Sequence, residues 1–361
     1  MKKYARVLLE KTKEYGSFLT VAFLFFLFSS TCTFAVKKQD EASSAPKIQR
    51  LHRKNTPVRL AIIGDHGDTT PGVKQVARIV REDDPHHVFS LGDVRYGKKT
   101  FDQTVGPYYS GYIYPYTGEF EGSNCPYNRF WPCIGNHDFS GRRSKSTLEP
   151  FFKYFQALGN KPFYDLSIGC DGMRIVGDSQ QYPLLHLFVL CSDPRFLDSR
   201  REEQEQWIIE KASTSRALWK IVIYHQPSYS SRMISPAAGR WPEEVKERNC
   251  ERTIDPELLH GLGVSAVFAG HMHVYERFDQ QGVPFVINGV GGESFYKFDD
   301  PSPCAESRCR YAEEHGAILM RCSPTDLSFA FCNTSGVCVD RARLSKEIQL
   351  YREAFDDSLG R

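Results

Sequence analysis

The chain has 361 residues, 41% of them hydrophobic, with 46 Lys and Arg against 44 Asp and Glu and a formal charge of +2. The hydrophobic share is enough to bury a substantial core, and the even charge leaves no basic field for nucleic acid or an anionic membrane surface. The first 35 residues hold five basic and two acidic side chains, so their +3 leaves about −1 for the remainder. Lys2, Lys3, Arg6, Lys11 and Lys13 precede an apolar stretch from Phe18 to Phe28. That stretch is too short for a bilayer span, which needs about 20 residues. It has the form of a signal-peptide core, with cleavage expected after Ala35. Retention as an anchor and lipidation of Cys32 are the alternatives, and a membrane partner is expected only in those cases. Export follows from the segment, to the outside, the periplasm or the cell envelope. Residues 36–57 read as a tether, 58–345 as one domain, and 346–361 as a tail, with a helical pattern over 342–357.

Residues 59–64 form a short apolar run, the mark of a buried strand. A helix is predicted over 71–82, from Val73, Val76, Ala77 and Val80, and a second strand over 87–91. This order argues for a β-α-β unit. Residues 97–130, rich in Tyr, Gly and Pro, are expected to be an irregular insertion near the site. Paired strands are expected within 163–191, an amphipathic helix over 202–212, and strands over 219–224, 264–269 and 283–288. A hairpin around Gly336 joins 327–331 to 337–341.

Eleven cysteines, ten if cleavage follows Ala35, suggest disulfides in an exported chain, and no Cys-x-x-Cys pair points to structural zinc. Cys125 and Cys133 are placed to close a loop ahead of Asn136, and Cys332 and Cys338 flank a turn. Cys191, inside an apolar run, reads as a small buried residue. Asn333-Thr334-Ser335 is a glycosylation sequon, meaningful in a eukaryotic secretory pathway.

Five short motifs carry the chemistry: Gly64-Asp65-His66-Gly67, Gly92-Asp93-Val94-Arg95-Tyr96, Gly135-Asn136-His137-Asp138, Val222-Ile223-Tyr224-His225 and Gly270-His271-Met272-His273. Each follows an apolar run that reads as a strand, and ligands of α/β sheets bind where strand carboxyl ends converge. Singly, each residue has a plainer reading. Asp65 could cap a helix, Asn136 could sit in a turn, His271 and His273 could face solvent, and Tyr96 could be packing. Together, Asp65, Asp93, Tyr96, Asn136, His225, His271 and His273 make a ligand set for two adjacent metal ions. His66 is out of register and reads as structural, and His86 and His87 read as surface residues.

The motif set resembles that of the purple acid phosphatases, a branch of the calcineurin-like metallophosphoesterases. Most of the superfamily has Asp-x-His in the first motif; here that position is Gly67, and Tyr96 follows Asp93 in a Gly-Asp-x-x-Tyr pattern. Tyr275-Glu276-Arg277, after Gly-His-x-His, is a further match. The resemblance spans residues 58 to about 345 and implies an α/β fold: a two-sheet sandwich flanked by helices (αββα), of the small single-domain type. It also implies that Asp65, Tyr96 and His273 hold one ion, that Asn136, His225 and His271 hold the other, and that Asp93 bridges them. A phenolate with carboxylates suits Fe(III), and a His-His-Asn set suits divalent Fe, Zn or Mn. The resemblance implies hydrolysis of phosphate monoesters, of small molecules or phosphoproteins, by a hydroxide that the metal pair would activate. His137 is expected to contact phosphate or protonate the leaving group.

One feature departs from that pattern. The family carries one or two further histidines about nine or ten residues after the fourth motif, but none occurs here between His225 and His260, which reads as part of a remote helix. Arg232 is the candidate for the missing positive charge at substrate, with Arg240 the alternative, since guanidinium recognises phosphate well. A phosphodiesterase or nucleotide pyrophosphatase of the same fold is the second reading. A catalytically impaired protein that kept its metals is the third.

Overall fold

In the computed structural model, which describes residues 56–122, 126–141, 146–177, 182–231, 254–298 and 305–346, the apolar run Val58–Ile63 forms β1. Helix α1 (Pro71–Asp83) is capped by the Thr70 side chain, starts on Pro71 and stops where Asp84 turns left-handed. Val73, Val76, Ala77 and Val80 form its buried face, as their 3-and-4 spacing requires. Strand β2 (His87–Ser90) then pairs parallel with β1, completing the expected β-α-β unit.

Two regions are more regular than expected. The supposed irregular insertion contains α2 (Phe101–Tyr109) and a 3-10 turn (Ser110–Tyr112), and it runs into β3 (Phe130–Pro132). Thr100 and Gln103 form a reciprocal capping box, and Phe101 and Val105 are buried, while Gly106 and Pro107 obscure the pattern in sequence. After α3 (Glu149–Tyr154), β4 (Tyr164–Ile168), β5 (Arg174–Ile175) and β6 (Leu185–Val189), the helix expected over 202–212 is α4 (Pro194–Ser213). Asp193 caps it and Pro194 opens it, a start signal lying ahead of a mostly polar stretch.

Strand β7 (Trp219–Ile223), α5 (Pro256–Gly261), β8 (Ala266–Ala269), β9 (Tyr275–Gln280) and β10 (Val283–Asn288) follow, with His260 in α5 as anticipated. The last strands are β11 (Ser307–Tyr311), β12 (Gly316–Cys322), β13 (Asp326–Asn333) and β14 (Cys338–Ser345). Of these, β9, β11 and β12 were not anticipated from sequence.

The strands make a six-stranded sheet, β14-β13-β12-β1-β2-β3, and an eight-stranded sheet, β11-β9-β10-β8-β7-β6-β4-β5. Strands β1, β2 and β3 are parallel in the first, and β6, β7, β8 and β10 in the second. The sheets pack face to face: Tyr275 stacks on Phe331 at 4.2 Å, and Phe268 meets Phe329 at 5.3 Å. With flanking helices this is the αββα arrangement. The Tyr275 hydroxyl donates to Asp340 of β14 at 2.7 Å, and Arg277 Nε donates to the same carboxylate at 2.6 Å. Two residues of the Tyr-Glu-Arg motif thus bind one sheet to the other.

His87 is not a surface residue. It is fully buried, because β2 is covered on both faces. Its Nε2–H donates to Gly172 O at 3.0 Å, and its Nδ1 accepts from the Trp131 indole at 3.1 Å. His86 is half-buried, with Nδ1 accepting from Arg59 N at 2.9 Å. Cys332 and Cys338 form a disulfide across the β13–β14 turn. Cys133 is a free, buried thiol; Cys125, its anticipated partner, lies outside the described residues. Cys191 is buried, as its apolar surroundings imply. Residues 1–55 and 347–361, which hold the N-terminal segment and nearly all of the tether and the tail, also lie outside the described residues, among which no helix is long and apolar enough to cross a membrane.

Candidate metal centre

Asp65, Asp93, Asn136, His225 and His271 all lie just past the carboxyl ends of strands: β1, β2, β3, β7 and β8 respectively. The chain turns sharply there. Asp65, Asp93 and His271 have φ of 53°, 51° and 69°, a conformation that costs a non-glycine residue about 1–3 kcal/mol. Specific bonds hold these turns: Asp65 N donates to Gly92 O at 3.1 Å, and His271 N to Asp65 Oδ2 at 2.8 Å. Preceding glycines let the loops approach. A Cβ on Gly135 would lie 2.2 Å from Asp93 N, and one on Gly270 would lie 2.6 Å from Asp65 Oδ2.

All seven anticipated ligands converge, in two groups. In the first, the Tyr96 hydroxyl lies 3.2 Å from Asp65 Oδ1, 3.2 Å from Asp93 Oδ2 and 3.3 Å from His273 Nε2. In the second, Asn136 Oδ1 lies 3.0 Å from His225 Nε2 and 2.9 Å from His271 Nδ1. Asp93 Oδ2 belongs to both, since it also lies 3.3 Å from His225 Nε2. Asp93, His225 and His271 offer ligand atoms within 4.8 Å of one another, a group able to hold a metal ion.

The hydrogen bonds behind the ligands aim them. A carbonyl can only accept, so His225 Nδ1 must donate to Leu91 O at 2.7 Å and His273 Nδ1 to Ser294 O at 2.8 Å. Each Nε2 is thereby turned toward the centre, the usual arrangement behind metal-binding histidines. Tyr296 stacks on the His273 ring at 4.2 Å and holds its plane.

The electrostatics fit cations. Burial and then the Asp65 and Asp93 carboxylates push the Tyr96 phenol far above its ordinary range. A phenolate there needs a strong positive charge beside it. Burial disfavours a charged His225, but Asp93 and Asp65 outweigh it and raise His225 to about 10. Burial and the neighbouring His225 lower His271 to about 3. Without a cation, protons must therefore separate groups that otherwise present lone pairs to each other. Two carboxylates, a phenol, an amide oxygen and three imidazoles are donors of the kinds that metal ions take.

His137 stands at the mouth, half exposed, its Nε2 4.0 Å from Asp93 Oδ2 and its ring 4.6 Å from that of Tyr96. His137 N donates to Asp93 Oδ1 at 2.8 Å. His66 is buried and its Nε2 pairs with Ser90 Oγ at 2.9 Å, so it is structural, as its register suggests. Arg232 and Arg240 lie outside the described residues. Asp138, quoted in its motif but given no role, proves to be the hub of two loops. Its carboxylate accepts from Asp93 N at 3.1 Å, Val94 N at 2.9 Å and Gly135 N at 2.8 Å.

The calcineurin-like phosphoesterase pattern matches residues 58–275. The chain is 23% identical over 284 residues to purple acid phosphatase 15 of Arabidopsis thaliana, covering 69% of this chain and 48% of that protein. It is 26% identical over 276 residues to purple acid phosphatase 22 of the same plant, covering 70% and 55%. It thus spans about half the length of the curated relatives it matches. Among solved structures, the purple acid phosphatase PPD1 of yellow lupin (Lupinus luteus) superposes with a TM-score of 0.53 at 16% identity, covering 85% of this chain and 56% of that one. GAP50, the anchor in the inner membrane complex of Plasmodium, superposes with a TM-score of 0.57 at 15% identity, covering 85% and 96%. These two likenesses are of fold.

Proposed function

The chain belongs to the calcineurin-like phosphoesterase family, and from that premise we propose that it is an exported, metal-dependent phosphatase acting on phosphate monoesters at a two-metal centre. The observation that carries this reading is the sharing of one oxygen, Asp93 Oδ2, by the Tyr96 and His225 groups, at 3.2 and 3.3 Å. Asp65, Tyr96 and His273 would hold Fe(III), and Asn136, His225 and His271 a divalent Fe, Zn or Mn ion, with Asp93 between them. When bound, such a pair supplies Lewis acidity that activates water and neutralises charge on the phosphoryl oxygens.

The chain's own groups do the rest. His137, half exposed beside Asp93, is placed to carry a proton at Nε2 toward the leaving-group oxygen. Asp138 keeps the Asp93 and Asn136 loops in register. No histidine follows His225 before His260, so leaving groups that need protonation depend on His137. Arg232 would add phosphate-binding charge but cannot release a proton near neutral pH.

Metal analysis and turnover test the proposal together. About two ions per chain are expected, with aryl phosphates and anhydrides cleaved well ahead of alkyl monoesters and diesters. Preference for diesters would favour the phosphodiesterase reading. Two bound ions with no turnover of any ester would favour a binding role.

A further inference from the structure

Asn136 faces two ways. Its side-chain oxygen meets His225 and His271, while its backbone carbonyl accepts from Arg195 Nη2 at 2.6 Å. Arg195 lies in the first turn of α4, in none of the five motifs. Its guanidinium is held from behind by Asp193, whose side chain is 2% exposed. Nε donates to Asp193 Oδ1 at 2.8 Å and Nη2 to Oδ2 at 2.8 Å, a two-toothed pairing. The guanidinium also lies over the Phe139 ring, 3.8 Å from its centroid. Capping α4 requires none of this, because Asp193 does so by accepting from Arg195 N at 2.9 Å. From another side, Arg95 Nη2 reaches Phe139 O at 3.1 Å and His137 O and Asp138 O at 3.4 Å. Guanidinium groups thus meet all four carbonyls of residues 136–139.

We propose that Arg195, fixed by buried Asp193, is a positioning residue for the second ion: it holds the Asn136 backbone so that Oδ1 stays between His225 and His271. The inference rests on the two-metal reading. Arg95 adjoins Tyr96 and would disturb both ions if changed, whereas Arg195 approaches only the Asn136 side. Lysine cannot replace it, because one ammonium cannot span a carboxylate in two-toothed fashion and also reach the carbonyl in that plane.

The test is Zn(II) binding to the full chain, measured calorimetrically after the first site has been loaded with Fe(III). Arg195→Lys is expected to raise the Kd for Zn(II) by about 10–100-fold, the usual effect of losing a group that supports a ligand. The visible band of the iron site should be unchanged, and kcat should recover at saturating Zn(II). A role confined to α4 would lower the melting temperature and leave the Zn(II) Kd alone, which would overturn the proposal. Should Arg195→Lys fail to fold, Asp193→Asn, which keeps a capping oxygen, decides. Weaker Zn(II) binding in it supports the proposal, and wild-type binding overturns it. A wild type that takes up one ion per chain would instead sink the two-metal reading itself.

Discussion

Gly67 explains why this site has a tyrosine. A Cβ there would lie 2.2 Å from Arg95 N and 2.5 Å from Val94 C, so a larger residue would push the 94–96 backbone away. With glycine, Gly67 N donates to Asp93 O at 3.0 Å and Tyr96 N donates to Gly67 O at 2.9 Å, and the phenol is delivered among Asp65, Asp93 and His273. The first motif cannot carry its own histidine at 67 and also let Tyr96 in. Tyr96→Phe should abolish the violet-to-pink absorption expected of tyrosinate on Fe(III). Gly67→Ala should shift or weaken that band although the phenol remains. An unchanged spectrum and iron content in Gly67→Ala would show that the loop tolerates the clash.

At the scale of elements, the five strand ends bring together residues that sequence separates by more than two hundred positions, and the Tyr275–Asp340–Arg277 cluster keeps the sheets that carry them in place. Asp340 is depressed: burial opposes its charge, but Arg277 and the Tyr275 hydroxyl favour it more strongly. A depressed carboxyl contributes stability above its unfolded pKa, and that contribution is lost as pH falls through the folded value. Asp340→Asn should therefore cost about 1.5–3 kcal/mol near neutral pH, the usual worth of hydrogen bonds to a charged group. The cost should shrink in acid. Urea unfolding of the two proteins at neutral and low pH measures the difference, and an equal cost at both would refute the assignment.

At the scale of the molecule, both ligand groups draw on both sheets. Asp65, Asp93, Tyr96 and Asn136 come from the sheet containing β1, and His225, His271 and His273 from the sheet containing β8. Bound metal should therefore stabilise the sandwich as a whole, by roughly 2.7 kcal/mol at a free concentration one hundred times Kd. Protons compete for the same atoms. Metal-free His225 is raised from 6.5 to about 10, so its stabilising contribution is complete below 6.5 and is lost as pH rises through about 10. Metal must displace that proton, and affinity should rise with pH up to about 10. Chelator-treated protein should melt lower than loaded protein, with the gap narrowing in acid. A gap independent of pH would remove His225 from the ligand set.

Motif chemistry alone pointed to the seven converging residues and to the strand ahead of each of the five motifs, because a ligand needs a particular donor and a buried strand needs a continuous apolar run. Both are local properties of a chain. What locality hides, only the tertiary structure decided. Helix α2 is obscured by Gly106 and Pro107, and His87 is buried because a second layer covers its strand. Cys133 stays a free thiol in the core although its spacing from Cys125 suggests a loop-closing bond. Asp138 accepts from backbone N–H groups of the Asp93 loop and Arg195 donates to the backbone carbonyl of Asn136, and a hydrogen bond to a backbone group leaves no mark on the partner's side chain. Partners of that kind can be read only when the loops are seen side by side.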